Sequence, residues 1–159
     1  MSETILMSQE QLQKLVAGVM QGATAAQAAG VSQETLESLY SLAHNAYNSG
    51  SFHDAQTVFQ ALTLYCPHEY RFWLGLAGSR QAQKQYEAAI DAYQMAAVAG
   101  LLKNPEPFLY ASRCLLQLGR KDDAVVALSM MLSIGNDADP RHAECHSKAK
   151  ALLNLLKKA

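Results

Sequence analysis

Cysteine is scarce and scattered in this chain. Cys66, Cys114 and Cys145 are odd in number and far apart, so they form no disulfide framework, and a reducing compartment is expected. No apolar run approaches the roughly 20 residues that a membrane-crossing helix needs. The opening MSETILMSQE has neither the basic start nor the long apolar run of a secretory signal. Charge is sparse too: 17% of residues are charged and the formal net charge is −1. That balance leaves no basic field to attract nucleic acid or an anionic membrane. The chain also lacks a Gly-rich phosphate loop, a nucleophile elbow and an HExxH pair, so nothing in it points to an enzyme or a cofactor. One metal pattern needs weighing. His142 and His146 are i, i+4 with Cys145 between them, but a structural zinc site takes four ligands and no others are signalled. The expectation is no metal, with these residues on a solvated polar face of the last helix.

Half of the 159 residues are hydrophobic, enough to bury a core, and their spacing is helical. Leu39, Leu42, Ala43 and Ala46 fall at i, i+3, i+4, i+7. Gly50 ends this helix and Ser51 is placed to cap the next, whose apolar face is Ala55, Phe59 and Leu62. The pattern then repeats. Ala55, Phe59 and Leu62 return as Ala89, Tyr93 and Ala96 after 34 residues, and as Ala124, Leu128 and Met131 after 35 more. In the first helices, Leu39, Leu42 and Ala43 return as Trp73, Leu76 and Ala77, then as Phe108, Ala111 and Ser112. A helix–turn–helix unit of this period resembles the tetratricopeptide repeat. Each unit buries its apolar side by stacking on the next.

The expected fold is therefore an all-α solenoid of three helix pairs, with helices near 33–48, 52–65, 69–83, 86–99, 106–117 and 121–134. Ser32 caps the first, with Val31 and Leu36 as a hydrophobic staple. Asn104-Pro105 starts the fifth. Asp139-Pro140 starts a seventh helix, to about residue 157, that caps the open end through Ala149, Leu152, Leu153 and Leu156. Residues 1–31 form a leading segment, and residues 32–159 the repeat domain with its cap. In the leading segment, Ser8 and Gln11 have the pattern of a capping box for a helix near residues 9–21. Leu12, Leu15, Val16, Val19 and Met20 make an apolar stripe on that helix. The stripe either packs on the first repeat or joins two copies of the chain.

A second stripe, Tyr40, His44 and Tyr47, lies about 100° from the first on the same helix. In repeat arrays of this kind the first helix of each pair lines the concave surface. The corresponding positions are Arg71, Leu74, Gly78 and Gln81 in the second unit and Leu109, Arg113 and Leu116 in the third. Tyrosine combines large contact area with a polar tip, which suits a peptide-binding groove. Gly78 would leave room for a ligand backbone. The alternative is that Tyr40 and Tyr47 pack on the leading helix. Tyr40 and His44 stand where a carboxylate clamp would need Lys and Asn, so an extended segment with apolar anchors is the expected guest.

The stretches LESLYSLAHNAYNSGSFHDAQTVFQALTLY, RFWLGLAGSRQAQKQYEAAIDAY and CLLQLGRKDDA, behind a short amphipathic helix, resemble the class II chaperones of bacterial type III secretion. The resemblance covers roughly residues 10–155. It implies a non-enzymatic chaperone of the bacterial cytoplasm, whose clients are the hydrophobic translocator proteins. An extended client segment would lie in the concave groove, and the N-terminal region would support a homodimer. Tyr40 and Tyr47 match aromatic groove positions of that family, while His44 stands where an aromatic is usual. A different reading of the repeats is an adaptor that scaffolds folded partners.

Overall fold

Small residues set the spacing of the helices. Ala43, Ala55, Ala77, Ala89 and Ala124 are all fully buried, as is Ser112, so first and second helices approach closely at the same level of each unit. The computed structural model describes residues 9–20 and 24–159. Among them are nine helices: α1 (Gln9–Met20), α2 (Ala25–Ala28), α3 (Gln33–Asn48), α4 (Phe52–Tyr65), α5 (Tyr70–Ala82), α6 (Tyr86–Ala99), α7 (Glu106–Gln117), α8 (Lys121–Met131) and α9 (Pro140–Lys158). From α3 to α9 each helix packs on the next, and α3 also meets α5 and α7 meets α9. That is the nearest-neighbour stacking of a helical solenoid. Helix α9 occupies the place a fourth first helix would take. The side chains of Leu12, Leu15, Val16, Val19 and Met20 lie outside the described residues, as does the cap expected at Ser8 and Gln11.

Local chemistry explains most boundaries. Ser32 accepts a hydrogen bond from Thr35 N at 3.1 Å, and Asp139 accepts one from Arg141 N at 2.9 Å. Asn104 accepts from Glu106 N at 3.0 Å. At the end of α3, Gly50 takes a φ of 83°, and Gly50 N and Ser51 N donate back to Tyr47 O and Ala46 O. This left-handed turn closes the helix at little cost for glycine. Ser51 is not the expected cap: its ψ of 62° leaves its side chain without a capping hydrogen bond. Between α1 and α3 the chain forms a one-turn helix, α2. Thr24 and Gln27 form a reciprocal capping box there, and Ala26 is buried in the main core. Helix α8 stops at Met131, three residues before the expected end. Ser133 N and Ile134 N bond to Met130 O and Met131 O instead, and Gly135 turns the chain with a φ of 91°. The one residue by which the second recurrence exceeds the first is taken up in the α6–α7 turn, where Leu101 and Leu102 both take a φ of 55°.

The core has two parts. The larger runs from α2 to α8 around Leu36, Phe59, Leu62, Phe72 and Leu76. The smaller joins Leu109, Leu128, Met131, Ala149 and Leu153. Leu42 departs from the expected core stripe: it is 57% exposed, and Leu36, Tyr40 and Ala43 carry the inward face of α3. Gly75 makes room for Phe59. A Cβ built there would stand 2.3 Å from Phe59 Cε1. Cys114 is a small buried hydrophobe, its thiol pushed up to about 11 by burial.

His146 overturns the expected solvated face of α9. It is 7% exposed, with Nδ1 2.6 Å from Asp137 Oδ1 and Nε2 2.7 Å from Ile134 O and 3.1 Å from Met131 O. Both ring nitrogens therefore face acceptors, which only the imidazolium satisfies as a double donor. Burial opposes the charge, but the Asp137 hydrogen bond and the two carbonyls outweigh it, and the pKa is raised.

Three outcomes are expected. Phe59→Ala should cost about 3–5 kcal/mol in chemical denaturation. Gly75→Ala should cost about 1–3 kcal/mol by overpacking, although alanine is the better helix former. For His146, a raised folded pKa means the stabilisation is full below the unfolded value of about 6.5 and is lost as pH rises through the folded value. The melting temperature should therefore be highest below about pH 6.5 and fall as pH rises through the folded value. His146→Gln should remove that dependence.

Candidate groove on the concave side

Because Cβ atoms one turn apart stack on one helix face, α3, α5 and α7 each present a short row of side chains on the same side of the solenoid. Between those rows lies an open depression of about 810 Å³. Helix α3 contributes His44 and Tyr47, and α5 contributes Leu74, Gly78, Gln81 and Ala82. Helix α6 adds Tyr86 and Tyr93, and α7 adds Glu106, Tyr110, Arg113 and Gln117. A second lobe of about 430 Å³ shares Leu74, Glu106, Tyr110 and Arg113 with the first and runs on to α9, between Tyr70 and Cys145.

Tyrosines build the floor. The Tyr93 and Tyr110 rings stack with centroids 5.5 Å apart. Tyr93 Oη donates to Gln81 Oε1 at 2.6 Å. Tyr70 and Tyr110 donate to the two oxygens of Glu106 at 3.3 and 3.2 Å. Burial raises the pKa of all three phenols, and the Glu106 carboxylate raises those of Tyr70 and Tyr110 further, so they remain neutral donors. Tyr47 meets Phe52 edge to face at 5.3 Å. The hydroxyls of Tyr70, Tyr93 and Tyr110 are thus already paired, which leaves their rings as the surface for apolar contact.

Six of the residues expected in the groove are brought together here: His44, Tyr47, Leu74, Gly78, Gln81 and Arg113. The room expected over Gly78 is bordered by Tyr47, whose Cε2 would lie 3.6 Å from an added Cβ. Four residues sit elsewhere. Tyr40 packs inward, 6.0 Å from the Phe59 ring and 5.8 Å from Phe72, because α5 closes over it. Arg71 stacks on Tyr40 at 4.8 Å and pairs with Glu37 at 2.8 Å and Glu69 at 3.2 Å, so it ties α3 to α5. Leu116 packs against the larger core. Leu109 borders the second lobe but is 3% exposed, covered by its cluster with Ala149 and Leu153 of α9. Sequence reasoning missed Tyr86, Glu106, Tyr110 and Gln117, and placed Tyr93 in the core alone. The signal for Tyr110 was its spacing, four residues after Glu106 and three before Arg113. Among the described residues no group of His, Cys, Asp and Glu is arranged to hold a metal, and no helix is long and apolar enough to cross a membrane.

Residues 40–101 match the tetratricopeptide repeat family. The chain is 38% identical over 136 residues to the low calcium response locus protein H of Yersinia pseudotuberculosis, covering 86% of this chain and 80% of that protein. A structure described as a type III secretion complex from Aeromonas hydrophila matches with a TM-score of 0.82 at 36% identity, over 91% of this chain and 95% of that one. The type III secretion chaperone SycD of Yersinia enterocolitica, solved with a peptide of the translocator YopD, matches with a TM-score of 0.73 at 40% identity. That match covers 80% of this chain and 95% of SycD, which has also been solved as an alternative dimer.

The two tyrosines of α3 should separate in a stability measurement. Tyr40→Ala removes an aromatic wedged between Phe59 and Phe72 and should cost about 2–3 kcal/mol. Tyr47→Ala, at the open edge, should cost less than about 1 kcal/mol. Equal losses in thermal melts would contradict this placement.

Proposed function

Because this chain belongs to the class II chaperones of bacterial type III secretion, we propose that it holds hydrophobic translocator proteins soluble and apart before export. It does so by laying an extended client segment in the concave groove. The observation that carries this reading is the two-lobed depression with its tyrosine floor. A translocator carries apolar segments that self-associate in water. Holding one extended covers its apolar surface and leaves it unable to pair with another copy. The work is done by binding alone, so the proposed role is non-enzymatic and needs no nucleotide.

The preformed floor matters for affinity. Tyr93 and Tyr110 are locked by stacking and by bonds to Gln81 and Glu106, so little side-chain freedom is lost when a client arrives. Tyr47, Leu74 and Tyr110 supply apolar area for client anchors, and the gap at Gly78 lets a chain pass close to α5. The proposed setting is the bacterial cytoplasm. Dimerisation is assigned to the Leu12, Leu15, Val16, Val19 and Met20 stripe.

Co-expression with candidate translocators, followed by affinity capture, should yield a soluble complex. Tyr47→Ala with Tyr110→Ala should weaken client binding at least about tenfold while the protein stays folded. Unchanged affinity in a folded double variant would reject the groove. Leu15→Glu with Val19→Glu should halve the mass in light scattering, and an unchanged mass would move the dimer contact elsewhere.

A further inference from the structure

The seam between the two lobes carries an imbalance of charge that the tyrosine floor does not explain. Its carboxylates are all engaged. Glu106 accepts from two phenols, Glu144 pairs with Lys148, and Asp139 caps α9 through Arg141 N. The guanidinium groups are not. Among the described residues neither Arg113 nor Arg141 has a carboxylate within 4.0 Å, whereas Arg71 and Arg120 are paired. Arg113 is the more telling, because it lines both lobes. Its Cζ sits 5.6 Å from the Tyr110 ring centroid, so the side chain is steadied by a cation–π contact while its planar fork keeps its donors.

A guest lying across the seam takes water away from Arg113. Left unpaired, the desolvated guanidinium would oppose binding; met by a carboxylate, it forms a charge-assisted and bidentate contact. The site is thus biased against segments that are merely apolar and against those that bring Lys or Arg to this point. Resting on the groove reading above, we infer that the client segment carries an acidic side chain beside its apolar anchors, received by Arg113 at the seam with Arg141 at the outer edge. The partner chemistry is an extended acidic–apolar peptide rather than a uniformly greasy one.

The test uses the full chain and synthetic peptides tiling the translocator that co-purifies with it. In the tightest-binding peptide, each Asp or Glu is changed in turn to Asn or Gln, and affinities are measured by calorimetry for wild type, Arg113→Gln and Arg113→Lys. One acidic position should cost about tenfold on wild type and less than about twofold on Arg113→Gln, with Arg113→Lys in between. Equal losses on wild type and Arg113→Gln, or an Arg113→Gln protein that binds every peptide like wild type, would overturn the inference. Thermal melts of both variants should match wild type, since Arg113 is exposed. The two readings fail differently. If Tyr47→Ala with Tyr110→Ala abolishes binding and Arg113→Gln changes nothing, the groove stands and the acidic contact falls. If neither set of changes affects binding, the groove itself is wrong.

Discussion

Helices separated by a hydrogen or a methyl group can sit closer than helices separated by branched side chains, and this fold depends on that contact. Ala43 and Ala55 in the first pair, Ala77 and Ala89 in the second, and Ser112 and Ala124 in the third are all without solvent exposure. The close approach turns the larger residues outward along the solenoid, to its next neighbour. Phe59 then reaches α5, where Gly75 admits its ring. The equivalent pair one unit on is Tyr93 and Tyr110, and there the glycine is replaced by a second ring. The same architectural position therefore closes the core at one junction and builds the groove floor at the next.

These small-residue contacts are why the fold was legible from spacing. The 34- and 35-residue recurrences of Ala–Phe, Ala–Tyr and Ala–Leu place the second helices, and Ser32, Gly50, Asn104 and Asp139 place four of the ends. The orientation of α3 was harder to read. Leu42 and Tyr40 lie on adjacent apolar stripes, and helical period cannot say which turns inward. Phe59 and Phe72, arriving from two other helices, decide it in favour of Tyr40. His146 was misread for a related reason. Its partners are carbonyls of the α8–α9 turn, and no residue type announces that a carbonyl will be left free there.

The concave surface was legible in its middle and not at its ends. His44, Tyr47, Leu74, Gly78, Gln81 and Arg113 share the register of the first helices, and they do converge. Carrying that register outward fails where another element overlies it. Helix α5 with Arg71 covers Tyr40, and α9 covers Leu109. Tyr110, one residue further round α7, takes up the groove-facing role instead. Glu106 was invisible as a groove residue because a carboxylate at a helix start reads as a dipole partner. Its two phenol donors come from α5 and α7.

The division of the core into two clusters bears on how the molecule holds together. The larger extends from α2 to α8, while the smaller binds α9 to α7 and α8. The second lobe spans that boundary, with Tyr70 and Leu74 on one bank and His142 and Cys145 on the other. A peptide seated there would bridge two hydrophobic bodies that otherwise meet chiefly through α7 and α8, as mortar does between courses of brick. Occupancy of that lobe would then add contacts across the one boundary in the core that few side chains cross.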